Sequence, residues 1–310
     1  MNITIYNEYD PLEKVIIGSA ESLYFPDAHE IEQEEGMPAW KQFLTNYVYR
    51  MLKGKKVPEL IKRQFKKELY SLKKLLEDHG VEVLTVDPII PKTEDAPGIG
   101  QMFARDSVIS LGNQLIEGNL QIEMRKKELL GYQKIIDMVS NNNDILSVPT
   151  KEDIFLEGGD VIIDKPYIFV GVGKYASNLA GVEWLRSHLD NSWHVVPIQL
   201  SNDAILHLDC CMTIVGPKKA IIHRESLQQP LPKELSDYKF IEIDGKTRKQ
   251  MGSNVLVIGP NKVIVQKRHR KLQKSLKQAG FTVLPLSFTW HALLDGAFRC
   301  ASCPLSRTRK

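Results

Sequence analysis

From residue 108 onward the chain repeats one pattern: an apolar run, a short polar turn and a second apolar run. The copies are Val108–Glu117 across Gly112-Asn113, Val161–Val172 across Asp164-Lys-Pro166, Met212–Ile222 across Gly216-Pro-Lys218, and Val255–Gln266 across Gly259-Pro-Asn261. They begin 53, 51 and 43 residues apart. Each copy predicts a hairpin. Helical stretches such as Ala180–Leu189 and His269–Ala279 follow most of them, and each leads to a further short strand, Trp193–Ile198 or Phe281–Leu286. A unit of this size buries its apolar face only against a neighbouring copy, so the pattern predicts a cyclic array of β-α units rather than a doubly wound sheet. Upstream, the basic, Leu-dotted segment 53–79 reads as an amphipathic helix ending before Gly80. With strands over Lys14–Gly18 and Val81–Val86, five units fill the chain.

The bulk numbers bound the class. The chain has 310 residues and a net charge of +3, with the apolar and charged content of an ordinary globular protein. The first ten residues lack the basic start and apolar run of a signal peptide. No stretch approaches the roughly 18 apolar residues of a membrane helix. Four cysteines are too few for a disulfide scaffold, and Cys210 and Cys211 are adjacent. The expectation is a reduced, cytoplasmic protein with no membrane partner.

Four segments place ionisable groups just before or within apolar strands: Phe103-Ala-Arg105-Asp106, Leu156-Glu157-Gly-Gly-Asp160, His207-Leu-Asp209 and Arg299-Cys300. In a cyclic array, equivalent strand ends converge on one axis. His207 and Asp209, two apart, share a face if extended. The Gly158-Gly159 pair lets backbone approach a ligand closely. Each segment alone also fits a surface ion pair or a plain turn; their joint occurrence with a C-terminal thiol is what points to chemistry. Several carboxylates around a thiol suit a planar cation, and guanidinium pairs bidentately with carboxylates. A thiolate attacks its central carbon, and a histidine gives and takes the proton of the departing amine.

Cys300 and Cys303 admit other readings. A thioredoxin-like pair usually follows an early strand and opens a helix, whereas here Pro304 follows the second thiol. A zinc site drawing on His207, Cys210, Cys211, Cys300 or Cys303 lacks a second Cys-x-x-Cys. A purely structural pair is the bland alternative.

At this point the chain resembles the amidinotransferases, typified by glycine amidinotransferase, within the guanidino-group-modifying superfamily that includes arginine deiminases. The resemblance runs almost end to end. It rests on Tyr6-Asn-Glu-Tyr-Asp-Pro-Leu-Glu-Lys-Val-Ile-Ile-Gly-Ser-Ala-Glu21, Ala104-Arg-Asp106, Gly112-Asn-Gln-Leu-Ile-Glu117, Gly181-Val-Glu-Trp-Leu-Arg-Ser-His-Leu189, His207-Leu-Asp209, Asn254-Val-Leu256 and Phe298-Arg-Cys300. It implies a single α/β domain over residues 1–310, a five-bladed α/β propeller of pseudo-fivefold ββαβ repeats around a central active site. It implies Cys300 as nucleophile forming an amidino-thioether, His207 as general acid/base, and Glu157 as the group orienting it. Asp106 and Asp209 would grip the guanidinium, with Asp160 and Arg105 beside them, and Arg224 lies near the place of the arginine that meets the donor's carboxylate. No metal or organic cofactor is implied. Two segments depart from the glycine amidinotransferase pattern. Glu157-Gly-Gly-Asp160 has the deiminase form in place of an Asp and alanines, and Asp295-Gly-Ala-Phe298 replaces a more Gly-rich run.

The expected activity is transfer of the amidino group of L-arginine to an amine, releasing ornithine. The alternative is a guanidino hydrolase of the same fold, with water as acceptor. Segment 22–50, with Tyr24, Phe25, Asp27, His29 and Trp40, departs most from the repeat and is expected to shape the acceptor entrance. The basic run Lys267-Arg-His-Arg-Lys271 with Lys274 reads as one solvated helix face rather than a nucleic-acid site. Exposed outer helices are compatible with a homodimer.

Overall fold

A computed structural model describes residues 1–25, 47, 51–52, 54–89, 99–203 and 205–308. In chain order its regular elements are β1 (Leu12–Ile17), α1 (Glu59–Glu77), β2 (Glu82–Thr85), β3 (Val108–Leu111), β4 (Gln114–Glu117), α2 (Gln133–Ser140) and β5 (Asp144–Ser147). They continue with β6 (Val161–Asp164), β7 (Tyr167–Val172), α3 (Leu179–Ser187), β8 (His194–Gln199), β9 (Met212–Gly216), β10 (Lys219–Ile222), β11 (Lys239–Glu242) and α4 (Gly245–Lys249). The last are β12 (Leu256–Gly259), β13 (Lys262–Gln266), α5 (Arg270–Gln278), β14 (Thr282–Leu286), α6 (Thr289–Ala292) and β15 (Ser302–Arg307).

Among the described residues the strands form five three-stranded sheets: β3-β4-β5, β6-β7-β8, β9-β10-β11, β12-β13-β14 and β15-β1-β2. In each, the first two strands pair antiparallel and the third adds in parallel. This is the five-bladed α/β propeller that the resemblance implies, in agreement with the cyclic array of five units read from the repeat. Burial falls from one side of every blade to the other. Strands β3, β6, β9, β12 and β15 are buried at every position, whereas β2, β5, β8, β11 and β14 are partly exposed. The first set is therefore innermost, and the mostly apolar sequence of β3, β6, β9 and β12 follows from having protein on both faces; β15, with Ser302, Ser306 and Arg307, departs from it.

Three features refine the sequence-based expectation. The fifth blade is built from both ends of the chain: β15 pairs antiparallel with β1, Ile17 opposite Ser302 and Leu12 opposite Arg307. The third blade crosses from β10 to β11 through two short 3-10 turns, Arg224–Ser226 and Lys233–Leu235. Pro230 and Pro232 lie in that crossover, and a residue without an N–H interrupts an α-helix. Helix α1 starts at Glu59, directly after Pro58, rather than at 53. It buries Phe65, Leu69, Leu72 and Leu76, the stripe of a helix lying on a blade. Three of the hairpin turns use left-handed backbone, at Gly112 (φ 61°), Lys218 (φ 51°) and Asn261 (φ 57°). No helix among the described residues is long and apolar enough to cross a membrane. In the segment expected to line an entrance, Tyr24 is buried and Phe25 packs against the core, while Asp27, His29 and Trp40 lie outside the described residues.

Because β15 completes a blade, its core residues carry stability out of proportion to their place near the chain end. Leu305, fully buried, should cost about 2–5 kcal/mol when changed to Ala. Leu293→Ala, at a side chain 66% exposed, should stay within about 0.5 kcal/mol. Urea denaturation of the two variants checks the contrast.

Candidate active site

The inner strands are each preceded by a turn, and the polar groups sit on those turns. Asp106 precedes β3 by two residues, Asp160 precedes β6 by one, Asp209 precedes β9 by three, Asn254 precedes β12 by two and Cys300 precedes β15 by two. The five turns are bonded to one another in a closed circle. Gly158 N donates to Asp106 O (3.1 Å), and Asp209 N to Gly159 O (3.2 Å). Ser253 Oγ and Asn254 Nδ2 donate to Asp209 O (3.2 and 3.5 Å), Cys300 N donates to Asn254 Oδ1 (3.1 Å), and Arg105 N donates to Cys300 O (2.9 Å).

Inside this circle the structure brings together Asp106, Glu157, His207, Asp209 and Cys300, none more than 3% exposed. His207 Nε2 lies 2.9 Å from Glu157 Oε2, and Glu157 Oε1 accepts from Gln121 N (2.9 Å). His207 Nδ1 lies 3.9 Å from Asp106 Oδ1, an oxygen without a hydrogen-bond partner among the described residues. On the other side of the thiol, Cys300 Sγ donates toward Asp209 Oδ2 and Oδ1 at 3.5 and 3.6 Å, and Asn254 Nδ2 donates to the sulfur at 3.0 Å. Gly158 and Gly159 are close-approach residues. A Cβ at 158 would fall 1.9 Å from Arg105 O, and one at 159 would fall 2.6 Å from His207 Cγ and 2.8 Å from Asp106 Oδ1.

Burying so many carboxylates requires cations beside them. Arg125 Nη2 bonds Asp106 Oδ2 (2.9 Å) and Glu128 Oε2 (3.1 Å), and its Nη1 lies 4.0 Å from Glu157. Arg299 bonds Asp209 Oδ2 and Glu8 Oε1, both at 2.9 Å, and donates to the carbonyls of Val161 and Gly159. Arg105 Nε donates to Arg299 O, so that side chain braces the turn carrying Cys300. Asp160 is turned away from the thiol: it accepts from the backbone N–H groups of Ser177 and Leu208 and so fixes the entry to His207. Arg224 is not brought here; it pairs with Glu242 at the surface and lies over the Phe240 ring.

The charge balance sets the protonation states. Burial alone lowers the pKa of His207, but Asp106, Glu157 and Asp160 outweigh it and raise the imidazole to about 10, so it is an imidazolium at neutral pH. Burial, then Asp209 and Asp106, push the Cys300 thiol well above its usual range. Burial raises Glu128 to about 7 against the pull of Arg125. Glu8 is held at about 2 because Arg299 and Arg105 overcome its burial. The thiol is thus neutral and the imidazole protonated, with Asp209 facing the sulfur and Asp106 the ring. His207, Asp209 and Cys210 also place ligand-type atoms within 4.8 Å of one another, but His207 is committed to Glu157 and Asp209 to Arg299, so a metal ion there would compete with both pairs.

The two thiols of the Cys-x-x-Cys segment point to different places. Cys300 belongs to the core cluster around Phe298 and Met212, while Cys303 lies in another with Leu305 and Val108, its Sγ 3.4 Å from Val108 O. Four residues of this arrangement lie outside the sequence-based list of site residues. Glu8 and Asn254 were visible only as parts of the segments carrying the family resemblance. Arg125 and Glu128 sit on a 3-10 segment, Glu123–Tyr132, whose polar sequence reads as surface. Their i,i+3 spacing was the available signal.

A family model described as N,N dimethylarginine dimethylhydrolase, eukaryotic, matches residues 44–307. Glycine amidinotransferase, mitochondrial, of Gallus gallus is 23% identical over an alignment of 356 positions that covers 97% of this chain and 82% of that one. Among solved structures, SxtG, an amidinotransferase from Microseira wollei, superposes with a TM-score of 0.85 at 22% identity over 99% of this chain and 98% of the other. The N-terminal domain of ArgZ, an arginine dihydrolase from cyanobacteria, superposes with a TM-score of 0.73 at 17% identity over 96% and 98%. With the model matching most of its length, the chain belongs to the N,N dimethylarginine dimethylhydrolase family, within the guanidino-group-modifying superfamily that also holds the amidinotransferases.

Proposed function

We propose that the protein is an amidinotransferase that moves the amidino group of L-arginine to an amine through a covalent adduct on Cys300. The observation that carries the reading is a buried thiol set between two carboxylates, Asp209 at 3.5 Å and Asp106 across the site beside His207. A guanidinium docked between them is a planar cation with donors for both. Its charge offsets the carboxylates that keep the thiol protonated, so docking favours loss of the thiol proton to solvent and leaves a thiolate facing the guanidinium carbon. The sulfur attacks that carbon. The His207 imidazolium, held by Glu157, gives its proton to the departing nitrogen, the C–N bond breaks, and ornithine leaves an amidino-thioether on Cys300. An acceptor amine then attacks the same carbon, the neutral imidazole takes its proton, and the thiolate departs. Complete burial of the four groups supports transfer over hydrolysis, because an adduct there is screened from bulk water until an amine enters. The unit proposed to do this is one domain spanning residues 1–310.

A second reading has water as the acceptor. It is favoured by Glu157 together with Gly159, whose missing Cβ makes room for His207 and Asp106. Incubation with arginine or N,N-dimethylarginine, with and without candidate amines, separates the two. Ornithine formed only with an amine supports transfer; citrulline formed regardless of amine overturns it.

Cys300→Ser should abolish turnover and Cys303→Ser should leave most of it; equal loss at both positions would contradict the assignment of the nucleophile. His207→Ala should slow turnover by about 10²–10⁴-fold. The raised pKa of His207 also predicts a stability signature. Its folded value of about 10 against an ordinary 6.5 means that its contribution is fully present below about 6.5 and is lost as pH rises through about 10. The gap in urea midpoint between the parent and His207→Asn should therefore narrow steadily from pH 6.5 to pH 10.

A further inference from the structure

Four of the five inner-strand turns carry groups with an assigned part in the chemistry or its support. The fifth, ahead of β12, ends in Asn254, a fully buried side chain with no established part. We propose that Asn254 is the positioning residue of the nucleophile: its side-chain N–H fixes Cys300 Sγ and favours the thiolate while Asp106 and Asp209 hold the guanidinium. The proposal rests on the reading of Cys300 as nucleophile.

The amide has one orientation. Its Oδ1 accepts from two backbone donors, Arg299 N at 3.0 Å and Cys300 N at 3.1 Å. Exchange of oxygen and nitrogen would turn an NH₂ group onto two N–H groups, so the network itself assigns Nδ2 to the sulfur, 3.0 Å away. The turn bearing it is pinned as well: Ser253 Oγ donates to Asp209 O, and Met251 takes a left-handed φ of 59°. Asn254 therefore grips the nucleophile at three points, its own N–H, the preceding N–H and the sulfur, and fixes the side-chain torsion of Cys300 relative to its backbone.

The chemistry explains why an amide stands there. The ionisable groups facing the sulfur are the Asp209 and Asp106 carboxylates and the Cys210 thiol, which shares Asp209 Oδ1 with it; Arg299 lies behind Asp209 and is spent on it. Both carboxylates disfavour a thiolate. A lysine or arginine in place of Asn254 would offset them, but it would also compete with the substrate's guanidinium for the same oxygens. A neutral N–H donor stabilises the anion and leaves both carboxylates to the substrate.

The test is a titration of the Cys300 thiolate by ultraviolet absorbance, each protein being read against its own Cys300→Ser counterpart. Asn254→Ala should raise the apparent pKa of Cys300 by about one unit, a tenfold loss of thiolate at a given pH. Asn254→Asp keeps the acceptor for the two backbone donors but turns an anion toward the sulfur, and should raise it further. Both variants should lose kcat about tenfold or more, with KM for arginine changed less than about threefold. An unshifted thiolate titration in a folded Asn254→Asp would overturn the proposal, and that isosteric variant carries the test if Asn254→Ala does not fold. Retained turnover in Cys300→Ser would instead sink the reading of the nucleophile, so the two failures are distinct.

Discussion

The site depends on a closed circle of hydrogen bonds that joins the five inner turns: Asp106 to Gly158, Gly159 to Asp209, Asp209 to the Ser253-Asn254 pair, Asn254 to Cys300, and Cys300 back to Arg105. Each link is a backbone group buried where water cannot replace its partner, so each must be made within the protein. Five blades alone would bring strand ends near one axis. The circle sets how far each turn reaches toward that axis, and so sets the distances between thiol, imidazole and carboxylates.

The circle closes only because the fifth blade is made from both chain ends. Pairing of β15 with β1 places Cys300 beside the turn of Asp106 and brings Glu8 under Arg299. One short segment, Arg299-Cys300, thereby carries the central thiol and the cation that holds Asp209 in place. This couples folding to the site: the Cys300 thiol is in position only when the ring is complete.

Electrostatics then divides the labour. Arg125 and Arg299 each hold one oxygen of a buried carboxylate; Asp106 keeps its second oxygen, Oδ1, toward His207, whereas Asp209 presents both oxygens to Cys300, at 3.5 and 3.6 Å. The inward carboxylates raise His207 against its own burial, while burial, then Asp209 and Asp106, raise Cys300. A docked cation changes that balance in favour of the thiolate. Under the proposed function, Cys300 is ionised in company with its substrate and is otherwise quiet.

Sequence periodicity alone specified the hairpins over 108–117, 161–172, 212–222 and 255–266 and the cyclic arrangement, because inner strands with protein on both faces must be continuously apolar. The motifs Arg105-Asp106, Glu157-Gly-Gly-Asp160, His207-Leu-Asp209 and Arg299-Cys300 marked turns that do converge, since each adjoins such a strand. What sequence could not supply was the partner of β1, the different destinations of Asp160 and Arg224, and the places of Glu8, Arg125, Glu128 and Asn254. Those are settled by contacts between residues far apart in the chain, such as Leu12 with Arg307 and, 291 positions apart, Arg299 with Glu8. Local pattern reports which face of an element is buried. Which charge meets which, and which amide meets the sulfur, was decided only when the ring closed and every buried polar group had to find its partner across blades.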